Sequence, residues 1–142
     1  MSTIMRKMIM IGRCERMYRA QNMSCDMPGF YHSYILAICR NPGMTQDMLA
    51  KHLCFNKSSV TRHLTRLEKD GLVERRVSER DKRELLVYPT GKMLDLKPEV
   101  LKITRKWDEL ISESVSDEEM KIFHEILEKI SARSLEIIYP ED

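Results

Sequence analysis

Residues 44–90 read MTQDMLAKHLCFNKSSVTRHLTRLEKDGLVERRVSERDKRELLVYPT, and the spacing of their apolar side chains decides the fold. On a helical wheel for residues 57–70, Val60, Leu64 and Leu67 gather in one narrow sector that must pack against neighbouring elements. Opposite them lie Ser58, Ser59, Arg62, Thr65, Arg66 and Lys69, with no acidic residue on that face. Such a helix is roughly 20 Å long at 1.5 Å per residue. Its short hydroxyls allow close approach to base edges, and arginine can donate two hydrogen bonds to guanine or grip a phosphate. Just upstream, Thr45 suits the N-cap of a short helix with Leu49, Ala50 and Leu53 on one side. Cys54, Phe55 and Asn56 then turn the chain, Asn56 caps the next helix, and Gly71 offers a left-handed stop. Helix, tight turn, helix is the pattern of a helix-turn-helix.

Beyond Gly71, Val73 and Val77 alternate with Glu74 and Arg76, and a polar loop at residues 78–83 separates them from a second β-prone run at 85–88. Two such runs predict a hairpin, ended by Pro89, Thr90 and Gly91. Its tip holds Arg80, Lys82 and Arg83, shortly after Arg75 and Arg76. A hairpin beside the second helix of a helix-turn-helix is a wing, and a basic tip can reach the neighbouring minor groove. A basic face alone describes many surface helices; two basic features held at a fixed separation point to a polyanion.

The flanks read as helices. Ile4, Met8, Ile11 and Tyr18 recur at helical spacing among Arg and Lys, and the first eleven residues lack the small-residue cleavage pattern of a signal peptide. Pro28 suits the first turn of a second helix bearing Phe30, Tyr31, Tyr34, Ile35 and Ile38, which stops at Asn41, Pro42 and Gly43. After the hairpin, Leu96, Val100, Ile103, Trp107 and Leu110 mark an amphipathic helix expected to start properly at Pro98. Ser116 and Glu119 make a capping box for a last helix with the stripe Met120, Phe123, Leu127 and Ile130. The expected architecture is mainly α with a small β-hairpin wing. Residues 1–27 form an N-terminal dimerisation helix and loop, 28–92 a winged helix-turn-helix lobe, and 93–142 C-terminal dimerisation helices.

Charge is distributed to match. Residues 51–92 carry eleven Lys and Arg against six Asp and Glu, whereas residues 93–142 carry seven against thirteen. The basic excess thus sits on the segment with the helix-turn-helix. No apolar run approaches the ~18 residues that span a bilayer, so no membrane association is expected and the cytoplasm is the expected compartment. Cys14, Cys25, Cys39 and Cys54 form no CxxC pair and no His stands at zinc-finger spacing from them. They read as free thiols, mostly buried, with no metal and no cofactor. Gly-rich phosphate loops, a nucleophile elbow and paired carboxylates are missing from the sequence, which argues against an enzyme with catalytic residues. A winged helix used only for protein contacts is the other alternative, and it lacks a reason for two basic surfaces.

In residues 44–90 the sequence resembles the DNA-binding core of the MarR family. The Thr-Gln opening of the third helix, the Asn-Lys-Ser-Ser-Val-Thr-Arg entry, the Leu-Glu-Lys-Asp-Gly-Leu-Val exit and the wing run Asp81-Lys82-Arg83 with Leu86, Val87 and Thr90 carry the likeness. The resemblance implies a homodimeric transcriptional repressor on a pseudo-palindromic double-stranded DNA operator. It makes Arg83 the wing-tip reader and Asp81 its support, and it adds Gln46, Lys57 and Thr61 to Ser58, Ser59, Arg62, Arg66, Arg80 and Lys82 as DNA contacts. It further implies a small phenolic or anionic effector in a cavity that Tyr18, Tyr31, His32 and Trp107 could line. In a peroxide-sensing branch of the family a cysteine near the N-terminus is the sensor; here that is Cys14, flanked by Arg13 and Arg16, whose charge favours thiolate. Three departures stand out. Cys54 replaces a usual glycine, so its turn is expected to be right-handed or bridge-like; Met93 also replaces a glycine; and Pro98 interrupts a usually continuous helix.

Overall fold

The computed structural model describes residues 3–141; residues 1, 2 and 142 of the stretches assigned above to the dimerisation segments lie outside it. In chain order the elements are α1 (Ile4–Asn22), α2 (Tyr31–Arg40), β1 (Met44–Thr45), α3 (Gln46–Leu53), α4 (Lys57–Lys69), β2 (Val73–Val77), β3 (Leu85–Pro89), α5 (Gly91–Ile111) and α6 (Asp117–Ile138). Two compact units result, Met1–Arg105 and Lys106–Asp142.

In the first unit, one apolar core gathers Tyr34, Ile35 and Ile38 of α2, Leu49 of α3, and Val60, Leu64 and Leu67 of α4 with Val87 of β3 and Met93 and Val100 of α5. The α4 sector read from the wheel is buried as expected, each side chain contributing roughly 1.5–3 kcal/mol of transfer free energy. Local capping fixes the helix starts. The Thr45 hydroxyl accepts from the Met48 N–H at 3.1 Å, and Asn56 Oδ1 accepts from the Ser59 N–H at 2.7 Å. Gly71, at φ +75°, follows the end of α4 in the left-handed conformation that costs a side-chain-bearing residue most.

The hairpin is joined by a strand that the sequence reading did not anticipate. β1 pairs antiparallel with β3, Met44 opposite Val87, giving the order β1-β3-β2. Gly43, at φ +88°, donates its N–H to the Val87 carbonyl at 2.8 Å, and a Cβ there would come within 3.2 Å of the Tyr88 hydroxyl.

Four expectations are corrected. Cys54 takes the left-handed conformation, φ 56° and ψ 38°, because its N–H closes α3 onto the carbonyls of Ala50 and Lys51. Cys14, Cys25 and Cys54 are exposed and only Cys39 is buried, so the thiols are not mostly core filling. Pro28 precedes α2 instead of opening it: its carbonyl accepts from the Tyr31 N–H at 3.0 Å in the turn before the helix. α5 begins at Gly91, not at Pro98, because the Thr90 hydroxyl accepts from the Met93 N–H at 3.4 Å and caps the start. Pro98 then sits inside the helix and deprives the Leu94 carbonyl of its donor.

In the second unit, α6 opens on the expected capping box. The Ser116 hydroxyl accepts from the Glu119 N–H at 3.1 Å, and the Glu119 carboxylate accepts from the Ser116 N–H at 2.9 Å. None of its residues is buried: Ile122, Phe123, Ile126 and Ile130 stand exposed. The same is true in the first unit of α1, where Ile4, Met5, Ile9 and Met10 are exposed.

Candidate nucleic-acid interface

The outward face of α4 carries the residues the sequence singled out, in two chemical states. Thr61 and Thr65 turn their hydroxyls back onto the helix, donating to the carbonyls of Lys57 at 3.0 Å and Thr61 at 2.8 Å. Ser58 donates to Asn56 Oδ1 at 2.8 Å, which draws its side chain into the cap. Arg62 is exposed and leans on the Ser59 hydroxyl at 3.3 Å; among the described residues no carboxylate pairs with it. Lys57 and Arg66 do have carboxylates, Asp47 at 3.4 Å and Asp70 at 3.3 Å. Both pairs are solvent-exposed, where such contacts contribute ~0–1 kcal/mol and a phosphate can replace them.

Asp70 is held from below as well. The Tyr31 hydroxyl donates to the same carboxylate oxygen that Arg66 reaches. This bond, followed by the nearby guanidinium, keeps the Asp70 carboxyl below the usual carboxylate range, and burial with the same contact pushes the Tyr31 phenol up to about 12. On the buried side of α4, His63 stacks on Phe30 with centroids 4.1 Å apart, and its Nδ1 lies 2.8 Å from the Tyr34 hydroxyl. Burial first, and then the Arg62 charge, hold His63 below its ordinary value of 6.5.

At the wing, Asp81 Oδ1 accepts from the Arg83 backbone N–H at 3.0 Å and from its Nε at 3.3 Å. That leaves the Arg83 side chain 91% exposed with its approach direction fixed from one side. Arg80 and Lys82 are exposed beside it. Sequence reasoning missed Ser78, a buried polar residue whose hydroxyl accepts from the N–H groups of Arg80 at 3.2 Å and Asp81 at 3.4 Å. Its position as the first residue of the polar loop, just past the end of β2, was the available signal, since serine there competes for backbone donors. Gln46, counted as a DNA contact, has its Oε1 3.4 Å from Arg75 Nη1.

The residues nominated for an effector cavity are less convergent. Tyr31 is buried and committed to Asp70, while His32 Nε2 lies 3.0 Å from Thr104 Oγ1. A recess of about 70 Å³ beside α1 is lined by Arg16, Arg19, Met23, Cys25 and Met27 among others, and by none of Tyr18, Tyr31, His32 and Trp107. Trp107 belongs to the second unit, half-buried on α5. Cys14 is exposed on α1. Among the described residues no helix is long and apolar enough to cross a membrane, and no group of three metal-ligating side chains forms.

A tight helical pair whose second helix shows a basic face, flanked by a hairpin with a basic tip, defines a winged helix-turn-helix. Residues 32–85 match the family model described as MarR family, and the chain has the winged helix-turn-helix fold found in regulators of that family. It is similar to the HTH-type transcriptional regulator BilQ of Clostridium symbiosum, 28% identical over 97 residues that span 68% of this chain and 67% of BilQ. To the regulator PetP of Rhodobacter capsulatus it is 41% identical over 75 residues, 53% of this chain and 45% of PetP. Among solved structures, a putative MarR family transcriptional regulator from Listeria monocytogenes complexed with 26mer DNA shares the fold. Its TM-score is 0.88 at 20% identity, with 100% of this chain and 98% of that one covered. Both relatives, BilQ and PetP, are named as HTH-type transcriptional regulators.

Proposed function

We propose that the protein is a homodimeric repressor that reads a pseudo-palindromic operator with α4 in the major groove and the wing in the minor groove. The observation that carries this reading is the pair of exposed, unneutralised or weakly paired arginines at its two contact points, Arg62 on α4 and Arg83 at the wing tip. Ser59 beside Arg62 supports base reading, and Lys57, Arg66, Arg80 and Lys82 supply phosphate contacts. Gln46, Ser58 and Thr61 belong to the same surface, with hydroxyls and amide partly engaged within the protein. Dimerisation is supported by the bare apolar side chains of α1 and, separately, of α6. Half-sites about one helical turn apart follow from two-fold symmetry.

The test is binding to duplexes enriched from random-sequence DNA. Arg62→Ala should cost about 1–3 kcal/mol and relax preference at one base position of each half-site. Arg83→Ala should lose most on sites with narrow, A·T-rich minor grooves. A uniform loss across all sequences for Arg62→Ala would reassign that residue to phosphate contact, and failure to enrich any duplex would leave a module for protein contacts. Release by a small phenolic or anionic effector is the proposed signal. The exposure of Cys14 supports a second reading, in which hydroperoxide oxidation of this thiol releases DNA. Cys14→Ser should then abolish release by peroxide while leaving reduced affinity unchanged; release that persists in this variant removes the thiol reading.

A further inference from the structure

Arg75 looks, by charge alone, like one more cation of the wing, yet its surroundings give it other work. It sits in the middle of β2, opposite Val87 of β3, and its side chain is only 17% exposed. Nε and Nη2 donate to the two carboxylate oxygens of Glu68 at 3.2 and 3.1 Å, a forked contact onto α4. Nη2 also lies 3.4 Å from the Thr65 hydroxyl, and Nη1 lies 3.4 Å from Gln46 Oε1 on α3. The Thr65 proton already goes to a backbone carbonyl, so its oxygen is free to accept here. A planar guanidinium with its donors spread over two helices acts as a rigid tie, in a way a flexible ammonium cannot.

We propose that Arg75 is a positioning residue for DNA recognition: it fixes the hairpin to α4 and α3 so that the wing tip and the recognition helix engage one duplex together. The hairpin is held near its base by the short turn through Gly71, by β1 alongside β3 and by the Thr90 bonds to Gly71 and Leu72. Arg75 adds a side-chain tie from β2 itself to α4 and α3, which limits how far the strand can tilt against the two helices. The inference rests on the DNA-binding reading and adds to it a residue that acts through Arg83 without touching DNA.

Glu68→Gln separates this role from simple electrostatics because the two predict opposite signs. Removing a negative charge from the recognition helix strengthens binding if only charge counts, whereas weakening the tie lowers affinity. For a duplex enriched by the wild-type protein, Glu68→Gln should bind about three- to tenfold more weakly. In an Arg83→Ala background the same change should cost less than about twofold, because the wing-tip contact that the tie positions is already gone. Arg75→Lys should fail to restore what Arg75→Ala loses, because an ammonium cannot reproduce the forked contact. Full rescue of affinity and salt slope by Arg75→Lys would make Arg75 a phosphate contact and overturn the proposal. Equal or tighter binding by Glu68→Gln, or additive losses with Arg83→Ala, would overturn it too. Should the wild-type protein enrich no duplex, the DNA reading falls and takes this inference with it. Tight wild-type binding with an indifferent Glu68→Gln removes the tie alone.

Discussion

Cys54 and His63 show how single side chains around the recognition helix carry costs that composition does not display. Cys54 is the one non-glycine residue among those described with a positive φ, in the turn immediately before the Asn56 cap. A left-handed conformation costs an ordinary residue roughly 1–2 kcal/mol, part of which glycine returns through the entropy of its unfolded chain. Cys54→Gly should therefore equal or exceed wild type by up to about 1 kcal/mol, and Cys54→Val should fall about 1–2 kcal/mol below it, in denaturant titrations. A valine variant as stable as the glycine one would contradict the strain. His63 makes a different prediction. Burial holds it neutral in the fold, while the unfolded chain takes up a proton near 6.5. The unfolded state thus binds more protons as the pH falls, so stability is full above that value and declines below it. His32, depressed by burial and Arg19, adds to the same slope. Replacing His63 by Asn, whose carbonyl can take the Tyr34 hydroxyl, should flatten the decline in melting temperature between about pH 7 and about pH 5.

Elements whose signals are local were legible in the sequence, and those fixed by distant partners were not. The Thr45 and Asn56 caps, the Gly71 stop and the Ser116–Glu119 box each depend on residues within one turn, so spacing sufficed to find them. The Asp81–Arg83 contact is local too, but the family resemblance, not the spacing, pointed to it. β1 has two residues, and only its pairing with Leu86 and Val87 of β3 makes it a strand. Arg75 could be counted as basic from composition, but its carboxylate lies on another element. Cys54 misled because a rule about side-chain sterics was weighed without the two carbonyls its N–H must satisfy. α5 misled because Pro98 is a strong breaker in isolation, and the Thr90 cap upstream carries the helix past it. That tolerance has a measurable cost. Pro98 is exposed and leaves the Leu94 carbonyl without its helical donor, so Pro98→Ala should raise stability by about 1–2 kcal/mol. A neutral or destabilising result in thermal unfolding would mean that α5 has absorbed the proline by bending.

For the whole molecule, the exposed faces of α1 and α6 set the expected assembly. Ile122, Ile126 and Ile130 recur every fourth residue along one side of α6, with Phe123 adjacent, and a chain of this size leaves such a stripe bare only at a cost in solubility. Light scattering at micromolar concentration should give twice the chain mass. Ile126→Glu with Phe123→Glu should give a monomer with far weaker DNA binding, although neither residue lies on the winged lobe. A wild-type monomer would defeat the dimeric reading. The joint between α4 and α5 bears on how such an assembly could be controlled. The Thr90 hydroxyl lies 2.6 Å from the Gly71 carbonyl, Lys92 donates to the Asp70 carbonyl at 2.7 Å, and the Thr90 N–H reaches Leu72 at 3.0 Å. The first turn of α5 is thereby sewn to the last turn of the recognition helix with no slack between them. A tilt of the opening turn of α5 would therefore pass straight to the end of α4, because these three bonds leave no compliant joint to absorb it.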